Sequence, residues 1–175
     1  TWILVIIILL SGFPEYTEAD GYDVAVYEFS GIYANASVAF QCTLGPRVPN
    51  STACFQCADY IRGCMKHLGY DVEYQEFYGE YGAGHGVLFR NVIAKKPAFY
   101  ANAPILILGA HYDTRPMADM DTEENQSIPI LGANDGASGV AVLLEIARVL
   151  SNKELNITLW FLFFDSEDFG VGYNN

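Results

Sequence analysis

Ile105-Leu106-Ile107-Leu108-Gly109-Ala110-His111-Tyr112-Asp113-Thr114 is the stretch whose reading decides the fold. Four consecutive aliphatic residues predict a strand covered on both faces, because an unbroken apolar run leaves no side for water. The run leads straight to an imidazole and, two residues on, a carboxylate. A second run of this kind, Ile157-Thr158-Leu159-Trp160-Phe161-Leu162-Phe163-Phe164, ends on Asp165-Ser166-Glu167-Asp168. Between them Gly132-Ala133-Asn134-Asp135-Gly136-Ala137-Ser138-Gly139 opens a helix. Val140, Leu143, Leu144, Ala147 and Leu150 share one face of it, and Val142, Ile146 and Val149 make the other side apolar, so the helix is expected to be well buried. Strand, helix, strand points to a mixed sheet with helices packed on its faces.

Working outward, Asp71–Phe77 and Val87–Ala94 read as an antiparallel hairpin. Its connection, Gly79 to Gly86, holds four glycines and is expected to be flexible, with His85 solvated. Two helices precede it. Phe29, Ile32, Ala36 and Phe40 recur at helical spacing and mark the first. Gly45-Pro46-Arg47-Val48-Pro49-Asn50 breaks it. Ser51 can cap the second, which runs to about Leu68 and stops at Gly69. Cys54, Cys57, Ile61, Cys64 and Leu68 fall on one face of that helix. They read as small core residues, because no second CxxC or His pair stands at ligand spacing. Cys42 has a pairing partner there if the compartment is oxidising. Met117 to Pro129 reads as a solvated acidic loop.

With 51% hydrophobic and 17% charged residues the chain is globular, and 175 residues suffice for one domain with a core. Nine Lys and Arg against 21 Asp and Glu leave a net charge of −12. That balance argues against nucleic acid and anionic membranes as partners. Thr1-Trp2-Ile3-Leu4-Val5-Ile6-Ile7-Ile8-Leu9-Leu10 is too short for a membrane span, which needs ~20 residues. Residues 1–19 fit the remnant of a secretory signal, with Thr17-Glu18-Ala19 as a weak cleavage site. Residues 20–175 are then the N-terminal part of a single domain, with no transmembrane span in the mature protein. Sequons at Asn35, Asn50, Asn125 and Asn156 are glycan acceptors only in a eukaryotic secretory route.

The chemistry collects at the ends of the two apolar strands. If these run parallel, His111, Asp135, Glu167 and Asp168 project from one edge of the sheet, where open α/β sheets bind ligands. Imidazole and carboxylates suit a zinc ion with an open position. Asp113 is placed to take the second ring N–H of His111 and fix its tautomer. Of the adjacent Glu167 and Asp168, one can bind metal while the other shuttles a proton. Taken singly, His111 is polar surface, Asp135 a helix cap and the last motif a solvated turn. Their conjunction at successive element ends favours a metal site.

Gly45-Pro46-Arg47-Val48-Pro49, His111-Tyr112-Asp113-Thr114-Arg115-Pro116, Gly132 to Val140 and Phe163-Phe164-Asp165-Ser166-Glu167-Asp168 together resemble the glutaminyl-peptide cyclotransferases, relatives of the zinc aminopeptidases of peptidase family M28. The resemblance covers roughly Phe29 to Gly170. It implies an α/β fold, a three-layer αβα sandwich around a mixed, mainly parallel sheet, incomplete here at the C-terminus. It implies that Asp135 and Asp168 bind zinc and that Glu167 is the acid/base. His111 matches the second-metal ligand of the two-zinc aminopeptidases; in the one-zinc cyclases the matching histidine lies nearby without binding metal. The Glu167-Asp168 pair, where the aminopeptidases usually carry Glu-Glu, leans toward the cyclases. The family's last zinc-binding histidine and a further catalytic carboxylate lie far downstream, so the chain reads as cut at both ends. The expected substrates are peptides or proteins with a free N-terminus, in a secreted or lumenal setting. Cyclisation of N-terminal Gln is the first expectation, aminopeptidase action the second, and a metal-free binding domain on the same fold the third.

Overall fold

The structure is a computed structural model that describes residues 8–10, 29–81 and 84–168. Its elements, in chain order, are β1 (Ile8–Leu10), α1 (Gly31–Thr43), α2 (Thr52–His67), β2 (Asp71–Tyr81), β3 (Gly84–Lys96), β4 (Ile105–His111), a wide π-type turn (Ala133–Ser138), α3 (Gly139–Leu150) and β5 (Thr158–Phe164). The described strands form one mixed sheet in the order β1-β4-β5-β3-β2. β4 and β5 are parallel, with Ile105 opposite Thr158 and His111 opposite Phe164. The other three pairings are antiparallel. The expected α/β class, a mixed sheet with flanking helices, is what the chain adopts, but among the described residues only one of the four pairings is parallel, where a mainly parallel sheet was expected, because the long β2–β3 hairpin and β1 add antiparallel partners.

Local chemistry accounts for the helix boundaries. The Ser30 hydroxyl accepts from the Tyr33 amide at the start of α1, and Ser51 does the same for Cys54 at the start of α2. Each occupies an amide that the helix itself leaves without an acceptor. Gly69 ends α2 at φ +83°, a conformation that favours glycine.

The core lies between one face of the sheet and the helices. Leu159, Phe161 and Phe163, alternate residues of β5, meet Cys54, Cys57, Ala58, Ile61 and Met65 of α2 and Val140, Leu143, Leu144 and Ala147 of α3. Removing such a side chain from water is worth about 1.5–3 kcal/mol each. Cys54 and Cys57 are the small core residues expected of them. All four cysteines are free, Cys42 included. Burial pushes the Cys57 thiol up to about 12, so it stays neutral.

Four expectations give way. The apolar spacing of α1 does not mark its buried face: Ile32 is 81% exposed and Phe29 and Phe40 are exposed too. Ser37 and Gln41 are the buried residues. Polar contacts dock this helix, with Gln41 Nε2 donating to Ala137 O at 3.1 Å and Tyr60 OH to Ser37 Oγ at 3.0 Å. The glycine-rich run is not a loose connection, because β2 and β3 continue through Gly79, Gly84 and Gly86 with only residues 82 and 83 between the strands. His85 there is solvated and pairs with Glu80. β4 is only partly covered, with Ile105 exposed, and α3 leaves Val142 exposed. Both apolar runs exceed what the described residues cover.

The leader expected over residues 1–19 lies outside the described residues, apart from β1, which flanks β4 at the sheet edge. Among the described residues no helix is long and apolar enough to cross a membrane. The packing makes a simple test. Phe161→Ala is expected to cost about 3–5 kcal/mol in urea denaturation, and Ile32→Ala no more than about 0.5 kcal/mol. Equal losses would contradict the outward face of α1.

Candidate active site

The parallel register of β4 and β5 sets the site. His111 stands opposite Phe164 at the strand ends, and Tyr112 N continues the ladder to Phe164 O at 3.0 Å. Both chains therefore leave the sheet side by side. Asp113, fully buried, accepts from the amides of Glu167 (Oδ1, 3.2 Å) and Asp168 (Oδ2, 3.2 Å). Its Oδ1 also lies 3.3 Å from His111 Nδ1. The alignment there is too poor for a full hydrogen bond, and Nδ1 counts among the buried atoms without one. We read the contact as an electrostatic pairing. On the other side of the ring, His111 Nε2 is 2.8 Å from Asp135 Oδ1 and 3.9 Å from Glu167 Oε2.

Two glycines let the Asp135 turn come this close. Gly132 has φ +56°, and a Cβ there would fall on Asp135 O and the Thr114 side chain. A Cβ on Gly136 would meet His111 Cε1 and Nδ1 at 2.8 Å. The turn thus lies flat on the imidazole. The Asp135–Gly136 peptide bond is cis. The Asp135 side chain bonds His111, so the helix-cap alternative is not its role here.

The structure brings His111, Asp113, Asp135 and Glu167 together. Asp168 is turned toward Arg115, whose amide donates to Asp168 Oδ2 at 3.0 Å and whose Nε donates to Asp168 O at 3.1 Å. Arg115 Nη1 also pairs with Asp119 at 3.0 Å, which ties the mostly exposed acidic loop to the site. Asp165 is buried rather than solvated. It accepts from Arg90 N at 2.9 Å and from the Cys54 thiol at 3.4 Å, so it locks the end of β5 to β3 and α2.

Sequence reasoning missed three supports. Arg47 was legible as part of a helix-breaking segment and of a family-like motif but with no role of its own, yet its side chain is fully buried. Arg115 carried a weak signal, its place two residues after Asp113. Tyr81 carried none. Its hydroxyl is buried, and burial first and then the charges of Asp113 and Asp168 raise its pKa.

Electrostatics describe a proton held among carboxylates. Burial alone pulls the His111 pKa down, but the Asp113 contact and the charges of Asp113, Glu167 and Asp135 outweigh it and push it up to about 9. Asp168 is pushed up to about 6, first by burial and then by the charges of Asp135 and Asp113, against Arg115 and His111. Among the described residues no three His, Cys, Asp or Glu side chains close into a metal cage. The donor chemistry nevertheless fits a divalent cation as an incomplete set. Asp135 and Asp168 are oxygen donors of like charge, the charge of Asp135 adds to burial in raising the Asp168 pKa, and a bound cation would relieve that repulsion.

In an open α/β sheet, carboxylates that converge beyond the parallel strands stand where such folds bind their ligands. Residues 91–172 match peptidase family M28. The chain is 32% identical over 129 residues to a glutaminyl-peptide cyclotransferase of Drosophila melanogaster, a match covering 70% of this chain and 33% of that protein. A Bacteroides thetaiotaomicron glutaminyl cyclase bound to N-acetylhistamine superposes with a TM-score of 0.75 at 37% identity, over 85% of this chain and 50% of that one. A Zn-dependent exopeptidase from Parabacteroides distasonis gives a TM-score of 0.78 at 38% identity, over 86% and 51%. The chain belongs to peptidase family M28, within which it is similar to both glutaminyl cyclases and zinc exopeptidases. It spans between a third and about half the length of these relatives. Zinc is the metal that the family implies.

Both pKa shifts have the same consequence in metal-free protein. Each group holds its proton more tightly folded than unfolded, so each stabilises the fold while protonated. The Asp168 contribution is complete below its ordinary 3.8 and is lost as pH rises through about 6. That of His111 is complete below 6.5 and is lost as pH rises through about 9. Urea midpoints of metal-free protein are expected to fall between about pH 4 and pH 9, and zinc is expected to raise the midpoint at the alkaline end. A midpoint that is flat across that window would contradict the assignment.

Proposed function

We propose that the full-length protein is a zinc-dependent enzyme acting on peptide N-termini, and specifically a glutaminyl-peptide cyclotransferase. The observation that carries this reading is the double anchorage on Asp113. One buried carboxylate orients Glu167, Asp168 and His111 together, and His111 in turn holds Asp135. A proton-transfer group is thereby fixed beside two oxygen donors suited to a cation.

Asp135 and Asp168 would hold the zinc, with further ligands from outside the described residues. When bound, zinc polarises the side-chain amide carbonyl of an N-terminal Gln. Glu167 lies at the open side of the site, where an incoming neutral α-amine can reach it. Its carboxylate takes the proton from the α-amine as the amine attacks the side-chain amide carbon. The new bond is N–C, closing a five-membered lactam. The C–N bond to the amide nitrogen breaks, and Glu167 delivers its proton to that nitrogen, which leaves as ammonia. Arg115 keeps Asp168 oriented, and Asp113 keeps the Glu167 backbone in place.

Carboxylates face both nitrogens of His111, Asp113 at Nδ1 and Asp135 at Nε2. An imidazole occupied this way supports one zinc and the cyclase branch. The aminopeptidase reading keeps its own support, since the same Nε2 points into the site, where it could serve a second metal. There Glu167 would act as base toward a water attacking the first peptide bond. The apolar N-terminal run and the family's peptide chemistry support a secreted or lumenal setting.

Full-length enzyme assayed on Gln-initiated and Leu-initiated peptides separates the readings. Ammonia and cyclised product from the Gln peptide alone are expected; free leucine without cyclised product would reject the cyclase. Glu167→Gln is expected to lower kcat by about 10²–10⁴ with the zinc content unchanged. Undiminished turnover in that variant would remove Glu167 from the chemistry.

A further inference from the structure

We propose that Arg47 is a positioning residue for the cation site: its guanidinium sets the spacing between the His111–Thr114 loop and the turn that carries Asp135. The inference rests on the zinc-enzyme reading and extends it to a residue that touches neither metal nor substrate.

The Arg47 side chain is fully buried, and the hydrogen bonds it makes are to main-chain carbonyls. Nε donates to Tyr112 O at 2.8 Å, between His111 and Asp113. Nη1 donates to Leu131 O at 2.8 Å and to Gln41 O at 3.3 Å. Nη2 donates to Gly132 O at 2.9 Å. The Arg47 carbonyl accepts from Thr114 N at 3.1 Å. One planar fork thus joins the end of α1, the loop after β4 and the start of the Asp135 turn. Burying a guanidinium is costly, and these carbonyls satisfy it only in this arrangement.

The joint lies directly upstream of the chemistry. Gly132 O, held by Arg47, also accepts from Ala137 N at 3.1 Å across the π-type turn, so Asp135 is confined between the two ends of that bond. Tyr112 O, the other anchor, is flanked by the residues that pair with Asp135 and Glu167. A change in the distance between the two anchors moves the Asp135 carboxylate relative to Asp168. Lysine keeps the charge but offers donors from a single nitrogen, which cannot reach carbonyls on two sides of a plane.

The test compares full-length wild type, R47K and M65A. Met65 lies in the core on α2, outside the site, so M65A serves as a destabilised control. Zinc affinity is read by competition with a chromophoric chelator, and hydrogen exchange is followed at the Thr114 and Ala137 amides. R47K is expected to bind zinc at least tenfold more weakly and to exchange faster at both amides. Its kcat is expected to fall more than tenfold with KM changed by less than about threefold, in keeping with loss of transition-state geometry. M65A, at a comparable loss of melting temperature, is expected to keep wild-type zinc affinity within twofold. If R47K does not fold, R47Q, which keeps a planar N–H donor pair, is measured in its place. Wild-type zinc affinity in the Arg47 variant, or an equal loss in M65A, would overturn the positioning role while leaving the zinc reading intact. A wild-type protein that takes up no zinc would overturn the zinc reading itself, and this inference with it.

Discussion

The site depends on one buried carboxylate. Asp113 has no access to water, so its oxygens must find their partners within the protein. It is satisfied by the amides of Glu167 and Asp168 and by the His111 ring. Those partners come from the two strands whose parallel pairing brings the loops together. The dependence runs both ways. The amides stand where they do because β5 ends in a turn with Ser166 at φ +61°, and the carboxylate holds that turn closed. Removing the carboxylate would leave two amides and an imidazole facing an unpaired hole.

Around this centre the molecule uses main-chain groups more than side-chain pairs. Arg47 bonds carbonyls, Gln41 bonds the Ala137 carbonyl, and Asp165 takes the Arg90 amide. Such bonds position backbone, and backbone position decides where a short carboxylate such as Asp135 can reach. The glycines belong to the same logic. Gly132 and Gly136 are there because a Cβ would push the turn off Thr114 and His111. The pattern Gly-Ala-Asn-Asp-Gly is thus a statement about closeness as much as about charge.

This explains what the sequence could disclose. β4, α3, β5 and the capped α2 were legible because long apolar runs and a serine cap have one reading each. Glu167, Asp113, His111, Asp135 and Asp168 were legible because polar residues at the ends of such runs stand out. The face of α1 was misread because its anchors, Ser37 and Gln41, look like surface residues, whereas Ile32 looks like core. The hairpin itself was legible, but the length of its connection was misread, because glycine signals a break even where a strand tolerates it next to an aromatic ring: a Cβ on Gly79 would meet Phe89 at 2.9 Å. The role of Arg47 was invisible because its partners are carbonyls, which every residue possesses. Tyr81 was invisible because its place at the end of β2 depends on how far the hairpin extends.

On the proposed reading the adjacent carboxylates of Glu167 and Asp168 divide two tasks by environment. They share the anchorage of their amides on Asp113, yet their side chains meet different surroundings. Asp168 is 13% exposed, is held by Arg115 and carries a raised pKa. Glu167 is 53% exposed, and its carboxylate lies 3.9 Å from the His111 ring. A metal ligand gains from being fixed and from a charge that only a cation relieves. A proton carrier gains from solvent access and freedom to turn between two nitrogens. On the proposed reading the shorter residue therefore belongs at 168 and the longer at 167. The extra methylene of Glu167 lets it cross from amine to leaving group while its backbone stays still. Exchanging the two residues would keep composition and net charge and still place the tethered group at the proton and the free one at the metal.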